Sequence, residues 1–349
     1  MKQIIYSQST DHRLNSRILF IFVTTLCQFN CYYCNTKNVE KHKCRHLDIN
    51  KLQEFVNMYD DITYTPQWIK PKLQILQKFI NTHHNRIDND YYDVVLSGGE
   101  PTYNNNIIDI VNILAHSEKI KVISILTNGQ ADINVYKHVS KVCNYKYKQH
   151  LVSFSYHFNS INNSKVFLDK LNSLSEDGVN CELRLIVDPL NVTSQVKSDI
   201  DYFINNDKYH LLKEIAYINR CGFCNDNYID NIKKQLDDKV AGRYIKVTYN
   251  DGSTEILSTG YIQSLNYNPF KGMYCESIYK RHGLTVDYDL YPRCYSSDQI
   301  RLLPRFRKCF SESMVRDYIS FVKSTYLKCE LDKCECRAGI IGKKCRQVS

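Results

Sequence analysis

The sequence lacks any long hydrophobic run. The longest apolar run near its start, Ile18 to Val23, is far shorter than the roughly 20 residues that span a bilayer, and no later run comes closer. The opening segment, MKQIIYSQSTDHRLNSR, has no apolar stretch of the kind found in secretory signal peptides. Internal repeats and low-complexity segments are missing, and there is a single tryptophan. We therefore expect a soluble, cytoplasmic protein without a membrane partner.

Cysteine, by contrast, is abundant, with 15 residues in a chain of 349. In a reducing compartment, an odd number of thiols on this scale indicates metal or cluster binding rather than disulfides. The formal net charge of +9 is uneven, because residues 270–349 contain 16 Lys and Arg against 9 Asp and Glu. The same segment contains seven cysteines. Both properties shift near residue 241, which predicts two domains, residues 1–240 and 241–349.

The first of these domains alternates short β-branched runs with longer amphipathic stretches, as in repeated βα units. Strands are predicted at Arg17–Val23, Tyr92–Leu96, Lys121–Leu126, Leu151–Tyr156, Glu182–Val187 and Glu214–Ile218. Helices are predicted at Asp48–Tyr59, Trp68–His83, Ile107–His116, Ser164–Leu174 and Ser194–Ile204. The pattern indicates an α/β fold, either a βα barrel or a doubly wound sheet. In both folds the chemistry lies at the carboxyl ends of the strands.

Three cysteines follow the first predicted strand directly, in the segment TTLCQFNCYYC. The spacing of Cys27, Cys31 and Cys34 is C-x3-C-x2-C, which 15 cysteines would produce by chance in about 3% of sequences. Thiolates ligate iron–sulfur clusters and zinc, and a closed site takes four ligands. Three neighbouring thiolates therefore indicate a metal site with one open position. A structural zinc with a remote fourth ligand is the alternative.

Two further motifs lie at the next two strand ends, SGGEP from Ser97 and TNG from Thr127. Together with the cysteine triplet, and in this order, they resemble the radical S-adenosylmethionine (SAM) superfamily over about the first 220 residues. The resemblance implies a partial (βα)6 barrel of TIM type with a [4Fe–4S] cluster on the triplet. It also implies that SAM binds the open iron through its amino and carboxylate groups. SAM would be cleaved reductively to a 5′-deoxyadenosyl radical in a site shielded from water.

The resemblance also implies roles for individual residues. Cys27, Cys31 and Cys34 are the expected cluster ligands, and Tyr33 is the expected aromatic near the adenine. Further SAM contacts are expected from Gly98, Gly99, Glu100, Asn128, Ser153, Ser155 and Arg184. The glycines and the glutamate would bind the methionine amino group. For the two serines and the arginine, a polar group satisfied within the barrel is the alternative. His157 is a further candidate for contact with substrate or SAM.

Other cysteines of the first domain carry weaker signals. Cys143 and Cys181 stand alone and are expected to be buried apolar thiols. Cys44 has no predicted role. Cys221 and Cys224 form a C-x2-C pair after the sixth strand, which fits either an auxiliary site or a thiol pair near the barrel mouth.

The second domain begins with two runs, 244–249 and 254–257, around an Asp-Gly turn, which predicts a hairpin. A second hairpin is predicted over 283–292, between Cys275 and Cys294. With Cys329-x4-Cys334-x-Cys336, these cysteines resemble the SPASM or twitch auxiliary-cluster extensions of radical SAM enzymes. The expected ligands of a second [4Fe–4S] cluster are Cys275, Cys294, Cys334 and Cys336, with Cys329 as the replacement. The fuller SPASM pattern is absent, so one auxiliary cluster is expected rather than two. A small zinc site on the same cysteines is the alternative.

The leading functional hypothesis is a radical SAM enzyme that abstracts hydrogen from an unactivated carbon of a ribosomally made peptide. The auxiliary cluster would position the substrate or accept an electron, and flavodoxin or ferredoxin would be a suitable electron donor. Modification of a nucleoside, nucleotide or nucleobase is the second hypothesis, motivated by the basic C-terminal segment. Its basic residues Arg301, Arg305, Arg307 and Lys308 either bind an acidic partner, nucleic acid included, or compensate cluster charge. A zinc or iron–sulfur nucleic-acid module without catalysis is the third hypothesis, and the motifs at the strand ends argue against it.

Overall fold

The computed structural model describes residues 3–9, 17–29, 31, 45–62, 91–158, 160–161, 163–188, 191–217, 244–258, 262, 269–275, 281–292, 306, 309–324 and 344–345. The predicted helix at Trp68–His83 lies outside these residues. Among the described helices, none is both long and apolar enough to cross a bilayer.

A large, mostly parallel sheet of eight strands organises the chain, in the order β12-β11-β2-β3-β4-β5-β6-β7. Its strands are β2 (Arg17–Thr24), β3 (Tyr92–Gly98), β4 (Ile120–Thr127), β5 (Gln149–His157), β6 (Cys181–Val187), β7 (Leu212–Tyr217), β11 (Arg281–Leu284) and β12 (Leu290–Pro292). All neighbours pair in parallel except β11 and β12. The six strands predicted from the sequence are β2 to β7, and the predicted α/β fold class is confirmed.

Helical crossovers connect the parallel strands, as such pairing requires. The helices are α1 (Ile49–Ile62), α2 (Ile107–His116), α3 (Ile133–Tyr145), α4 (Ser164–Glu176), α5 (Ser194–Asn206) and α6 (Glu312–Ser324). Five of them begin at a side-chain cap that satisfies a free backbone N–H of the first turn. These caps are Asp48 for α1, Asp132 for α3, Asn163 for α4, Thr193 for α5 and Ser311 for α6. Sequence periodicity predicted α1, α2, α4 and α5 within three residues of their observed ends, but neither α3 nor α6.

The pleat of the strands gives the large sheet two different faces. On β5, Val152, Phe154 and Tyr156 pack into the apolar core below α4 and α5. Ser153 and Ser155 alternate with them, so they lie on the face opposite the helices. We call this second face, on β2 to β7, the inner face. It is apolar around Phe20 and its neighbours on β2 and β3, and polar on β5 to β7.

A smaller antiparallel sheet has the order β10-β13-β1-β8-β9. Its strands are β1 (Ile4–Ser9), β8 (Tyr244–Tyr249), β9 (Thr254–Ser258), β10 (Tyr274–Cys275) and β13 (Lys344–Cys345). The predicted hairpins are both present, as β8–β9 and β11–β12. The strand β1 was not predicted.

The two sheets exchange strands across the predicted domain boundary at residue 241. The N-terminal strand β1 joins the small sheet by pairing with β8, whereas β11 joins the large sheet beside β2. Helix α6 also packs into the core of the large sheet, where Val315 and Tyr318 are buried with Phe55 of α1. Strands from both sides of residue 241 therefore take part in each sheet, and the division into residues 1–240 and 241–349 stays a prediction.

Candidate active site

The carboxyl ends of β2, β3, β4 and β5 bring the predicted motifs to one edge of the large sheet. The segment 25–31, which we call the cysteine loop, follows β2. The segment 99–104 follows β3, the segment 128–131 follows β4, and His157 ends β5. Because the strands are parallel neighbours, these segments lie side by side. The site therefore depends on strand order as much as on the motifs themselves.

Two glycines let the segment after β3 dock on the cysteine loop through its backbone. The Gly99 N–H donates to the Thr24 carbonyl at 2.8 Å, and the Glu100 N–H donates to the Leu26 carbonyl at 2.6 Å. A Cβ on Gly99 would lie 1.9 Å from the Leu26 carbonyl oxygen, and one on Gly98 would lie 2.4 Å from that of Thr24. Gly98 also has a φ of 126°, which side chains rarely adopt. The glycines thus permit close contact between two backbones.

The Glu100 carboxylate joins this segment to the one after β4. It is 2% exposed and accepts hydrogen bonds from the Thr102 hydroxyl and the Thr127 hydroxyl, both at 2.7 Å. The backbone N–H groups of Thr102, at 3.2 Å, and Asn128, at 2.7 Å, also donate to it. Burial raises the pKa of the Glu100 carboxyl, and these donors lower it in part. Both carboxylate oxygens accept hydrogen bonds from the protein, so the buried carboxylate links the segment after β3 to the segment after β4.

The two described cysteines of the triplet differ from the isolated cysteines in accessibility. Cys27 is exposed and Cys31 is half-buried. Cys143, Cys181 and Cys309 are buried, as predicted for the first two. Burial raises their pKa values to about 12, 12 and 11. Metal ligands have to be thiolates, so the buried thiols are unsuited to the role and the two on the loop are suited to it.

Polar side chains from other strand ends approach both loop thiols. The Asn128 side-chain amide lies 4.0 Å from Cys27 Sγ, and the Phe29 N–H donates to the same sulfur at 3.4 Å. His157 Nδ1 lies 3.9 Å from Cys31 Sγ. The Asn128 amide and the Phe29 N–H are donors that a metal-bound thiolate can accept from, so these contacts fit a thiolate-bound metal group. Tyr33 and Cys34 lie outside the described residues, and within those residues no three metal-binding side chains form a group.

A buried charge cluster occupies the polar part of the inner face. Arg184 of β6 donates to Glu182 at 2.6 Å and lies 3.7 Å from Glu214 of β7. Ser153 of β5 also donates to Glu182, at 2.7 Å. Burial lowers the pKa of Arg184, but the two carboxylates raise it by more. Ser155 lies beside Arg184 in the strand register. The sequence analysis predicted Arg184 and the two serines as site residues and did not predict Glu182 or Glu214. The alternation of these glutamates with apolar residues along β6 and β7 could have placed them on the inner face.

The remaining predicted residues are only partly described. Cys275 lies in β10, next to β13. Outside the described residues lie Cys44, Cys221, Cys224, Cys294, Cys329, Cys334, Cys336, Arg301, Arg305, Arg307 and Lys308. The auxiliary-cluster ligands, the C-x2-C pair and the basic patch accordingly stay predictions.

Comparison with known proteins agrees with this geometry. Residues 21–176 match the family model of the radical SAM superfamily. The fold is similar to that of Streptococcus suis SuiB bound to precursor peptide SuiA, with a TM-score of 0.51, 14% identity, and coverage of 90% of this chain and 69% of that one. SuiB bound to S-adenosylmethionine gives a TM-score of 0.51 and 14% identity, covering 93% and 68% of the two chains. A search of curated proteins found no match. The predicted partial-barrel fold and the predicted resemblance are confirmed.

Proposed function

We propose that this chain, a radical SAM enzyme whose family match spans residues 21–176, modifies a ribosomally made peptide by hydrogen abstraction. The observation that carries the proposal is the edge of the large sheet where four strand ends meet. There the cysteine loop, the two glycine-containing segments and His157 share one network of contacts. That edge is where parallel α/β folds place their chemistry.

A [4Fe–4S] cluster would be held by Cys27, Cys31 and Cys34, and when bound it supplies one electron to SAM. The chain's own residues prepare the place for it. The Glu100 N–H binds the cysteine loop at the Leu26 carbonyl, at 2.6 Å, and the Gly99 N–H binds the Thr24 carbonyl at the end of β2, at 2.8 Å. The Glu100 carboxylate holds the next segment by accepting from the Asn128 N–H. The loop is therefore positioned by its neighbours before any ligand binds.

SAM itself would lie over the inner face. Ser153, Ser155 and Arg184 are proposed to contact its ribose and carboxylate, as the resemblance implies. The described contacts limit these roles. Ser153 is 1% exposed and bonded to Glu182, so it positions that carboxylate. Ser155 is more accessible, and Arg184 is held in a fixed orientation by two carboxylates. Ser155 and the Arg184 guanidinium are thus the better candidates for direct contact.

A peptide substrate is supported by the similarity in fold to SuiB, which has been solved with its precursor peptide SuiA. We propose an auxiliary [4Fe–4S] cluster in residues 241–349, on Cys275, Cys294, Cys334 and Cys336, that orients the peptide or accepts an electron from it. The proposal includes a cytoplasmic location and a flavodoxin- or ferredoxin-type donor. Modification of a nucleoside-type substrate is the competing proposal, and the basic C-terminal segment supports it.

The experiment begins with anaerobic reconstitution of the full chain with iron and sulfide. We expect 5′-deoxyadenosine to form when dithionite and SAM are added. Cys31→Ala should abolish it, whereas Cys143→Ala, which changes a buried thiol away from the site, should not. Protein that holds only zinc, or a Cys31→Ala variant as active as wild type, would refute the proposal.

The substrate class is tested next by mass spectrometry. A precursor peptide encoded beside the gene should lose hydrogen or gain a new linkage in step with 5′-deoxyadenosine formation. Product formation only with nucleosides or nucleotides would establish the competing proposal. The iron content of a variant that lacks Cys27, Cys31 and Cys34 tests the auxiliary cluster, since about four irons per chain should remain.

A further inference from the structure

We propose that Asn128 and His157 are positioning residues that donate hydrogen bonds to the thiolates of Cys27 and Cys31 and thereby raise the cluster's reduction potential. The inference rests on the proposed function, because it requires a cluster on the cysteine loop. It assigns Asn128 a task different from the SAM contact that the sequence suggested.

The orientation of the Asn128 amide is determined by its neighbours. Its oxygen accepts from the Gln28 side-chain amide at 3.1 Å and from the Gln130 backbone N–H at 3.1 Å. Both partners are donors, so the oxygen has to face them and the NH2 group has to face the other way. On that side it meets Cys27 Sγ at 4.0 Å. Asn128 is 5% exposed, so its amide lies away from bulk water although Cys27 itself is exposed.

His157 approaches the second thiol from a different strand. Its Nδ1 lies 3.9 Å from Cys31 Sγ. The ring packs edge-on against Phe29, with centroids 5.8 Å apart and an interplanar angle of 71°. Phe29 belongs to the cysteine loop, so the loop holds the ring as well as the thiol. A metal-bound thiolate only accepts hydrogen bonds, so the proton has to reside on Nδ1 in this contact.

Donors of this kind act on the redox equilibrium. One-electron reduction adds negative charge to the cluster and its thiolates, and an N–H dipole that faces a thiolate stabilises the more negative state. The two contacts involve different sulfurs and different strands, so their effects should add. We expect each donor to change the equilibrium constant for reduction by about tenfold, which for one electron is about 59 mV.

The test is a redox titration of the reconstituted full chain, followed by electron paramagnetic resonance in the absence of SAM. His157→Phe keeps a ring beside Phe29 and loses the donor, and Asn128→Leu loses the amide at similar size. Each variant should lower the equilibrium constant for reduction about tenfold, which is a fall of about 59 mV in potential. The double variant should lower that constant about 100-fold. His157→Gln retains an N–H donor and should restore part of the shift.

Matched controls are His138→Phe and Asn134→Leu, which make the same replacements at exposed positions of α3. They should leave the potential unchanged. Site variants that keep the wild-type iron content and the wild-type potential would overturn the inference, and so would a shift seen only when SAM is present. A variant that folds but loses the iron of the cluster on Cys27, Cys31 and Cys34 also contradicts it, because a donor tunes the cluster without being a ligand. A wild-type chain that takes up no cluster would instead refute the proposed function.

Discussion

Replacing Gly99 by alanine should disable the site while leaving the fold largely intact. The added Cβ would lie 1.9 Å from the Leu26 carbonyl oxygen and 2.4 Å from the carbonyl carbon. Both atoms belong to the backbone of the cysteine loop, which cannot move aside as a flexible side chain does. To reach the 3.0 Å below which real Cβ contacts essentially never occur, the two backbones must separate by about 1.1 Å.

The magnitude follows from what this separation breaks. Gly99 and Glu100 donate the two backbone hydrogen bonds that join the segments, each worth about 1 kcal/mol. Overpacking adds about 1–3 kcal/mol, so we expect a loss of about 3–5 kcal/mol in the free energy of unfolding. Displacing the cysteine loop by about 1 Å should lower 5′-deoxyadenosine formation about 100-fold.

Gly178→Ala is the control, since its Cβ would meet nothing within 4 Å although its φ is +79°. The backbone strain there costs about 1–2 kcal/mol and should leave both iron content and activity unchanged. Urea unfolding and a 5′-deoxyadenosine assay measure the two effects separately. If Gly99→Ala matches wild type in activity and iron content, the close backbone contact has no part in positioning the site.

The remaining predictions concern three charged side chains, of which Glu100 is buried and Arg184 and Lys170 are half-buried. Burial raises the pKa of Glu100, so folding favours its protonated form, and wild type should gain stability relative to Glu100→Gln as pH falls from about 8 to about 5. Urea unfolding of the apo-protein at both pH values checks this, and a constant difference contradicts it. Arg184→Met leaves two carboxylates without their cation and should lower the free energy of unfolding by about 3–5 kcal/mol. Adding Glu182→Gln to this variant should restore part of that loss in the same assay. Lys170→Met removes hydrogen bonds to the carbonyls of Gly129 and Ala131. It should lower the free energy of unfolding by about 1–3 kcal/mol, measured from the urea unfolding midpoint. An unchanged midpoint would show that these hydrogen bonds do not stabilise the segment after β4.

Local pattern predicted much of the fold. Strands β2 to β7 were predictable because runs such as ILFIFV at 18–23 are short, apolar and bounded by polar segments, which strongly favours buried parallel strands. The hairpin β8–β9 was predictable from its Asp-Gly turn. The strand β1 was missed because its alternation is weak and its partner β8 lies more than 230 residues away in sequence.

The residues of the candidate site were predictable from the sequence, whereas the contacts between them were not. The sequence identified Cys27, Gly99, Glu100 and Asn128 as members of motifs at strand ends. Its suggestion that Glu100 binds a ligand stays a prediction, and it did not identify the hydrogen bonds that both carboxylate oxygens accept from neighbouring segments. Hydrogen-bond partners depend on atoms brought together across strands, which motif spacing does not encode.

By itself, the sequence determined the α/β fold class and the order of the βα units along the chain. It also distinguished the cysteines of the C-x3-C-x2-C motif from the isolated cysteines. Periodicity and spacing suffice for these, because they reflect local backbone geometry and the burial of one face. Only the tertiary structure decided that β11 joins the large sheet, that Arg184 lies between two glutamates, and that His157 meets Cys31. The physical reason is that side chains distant in sequence acquire distances and partners only when strand order and register bring them together.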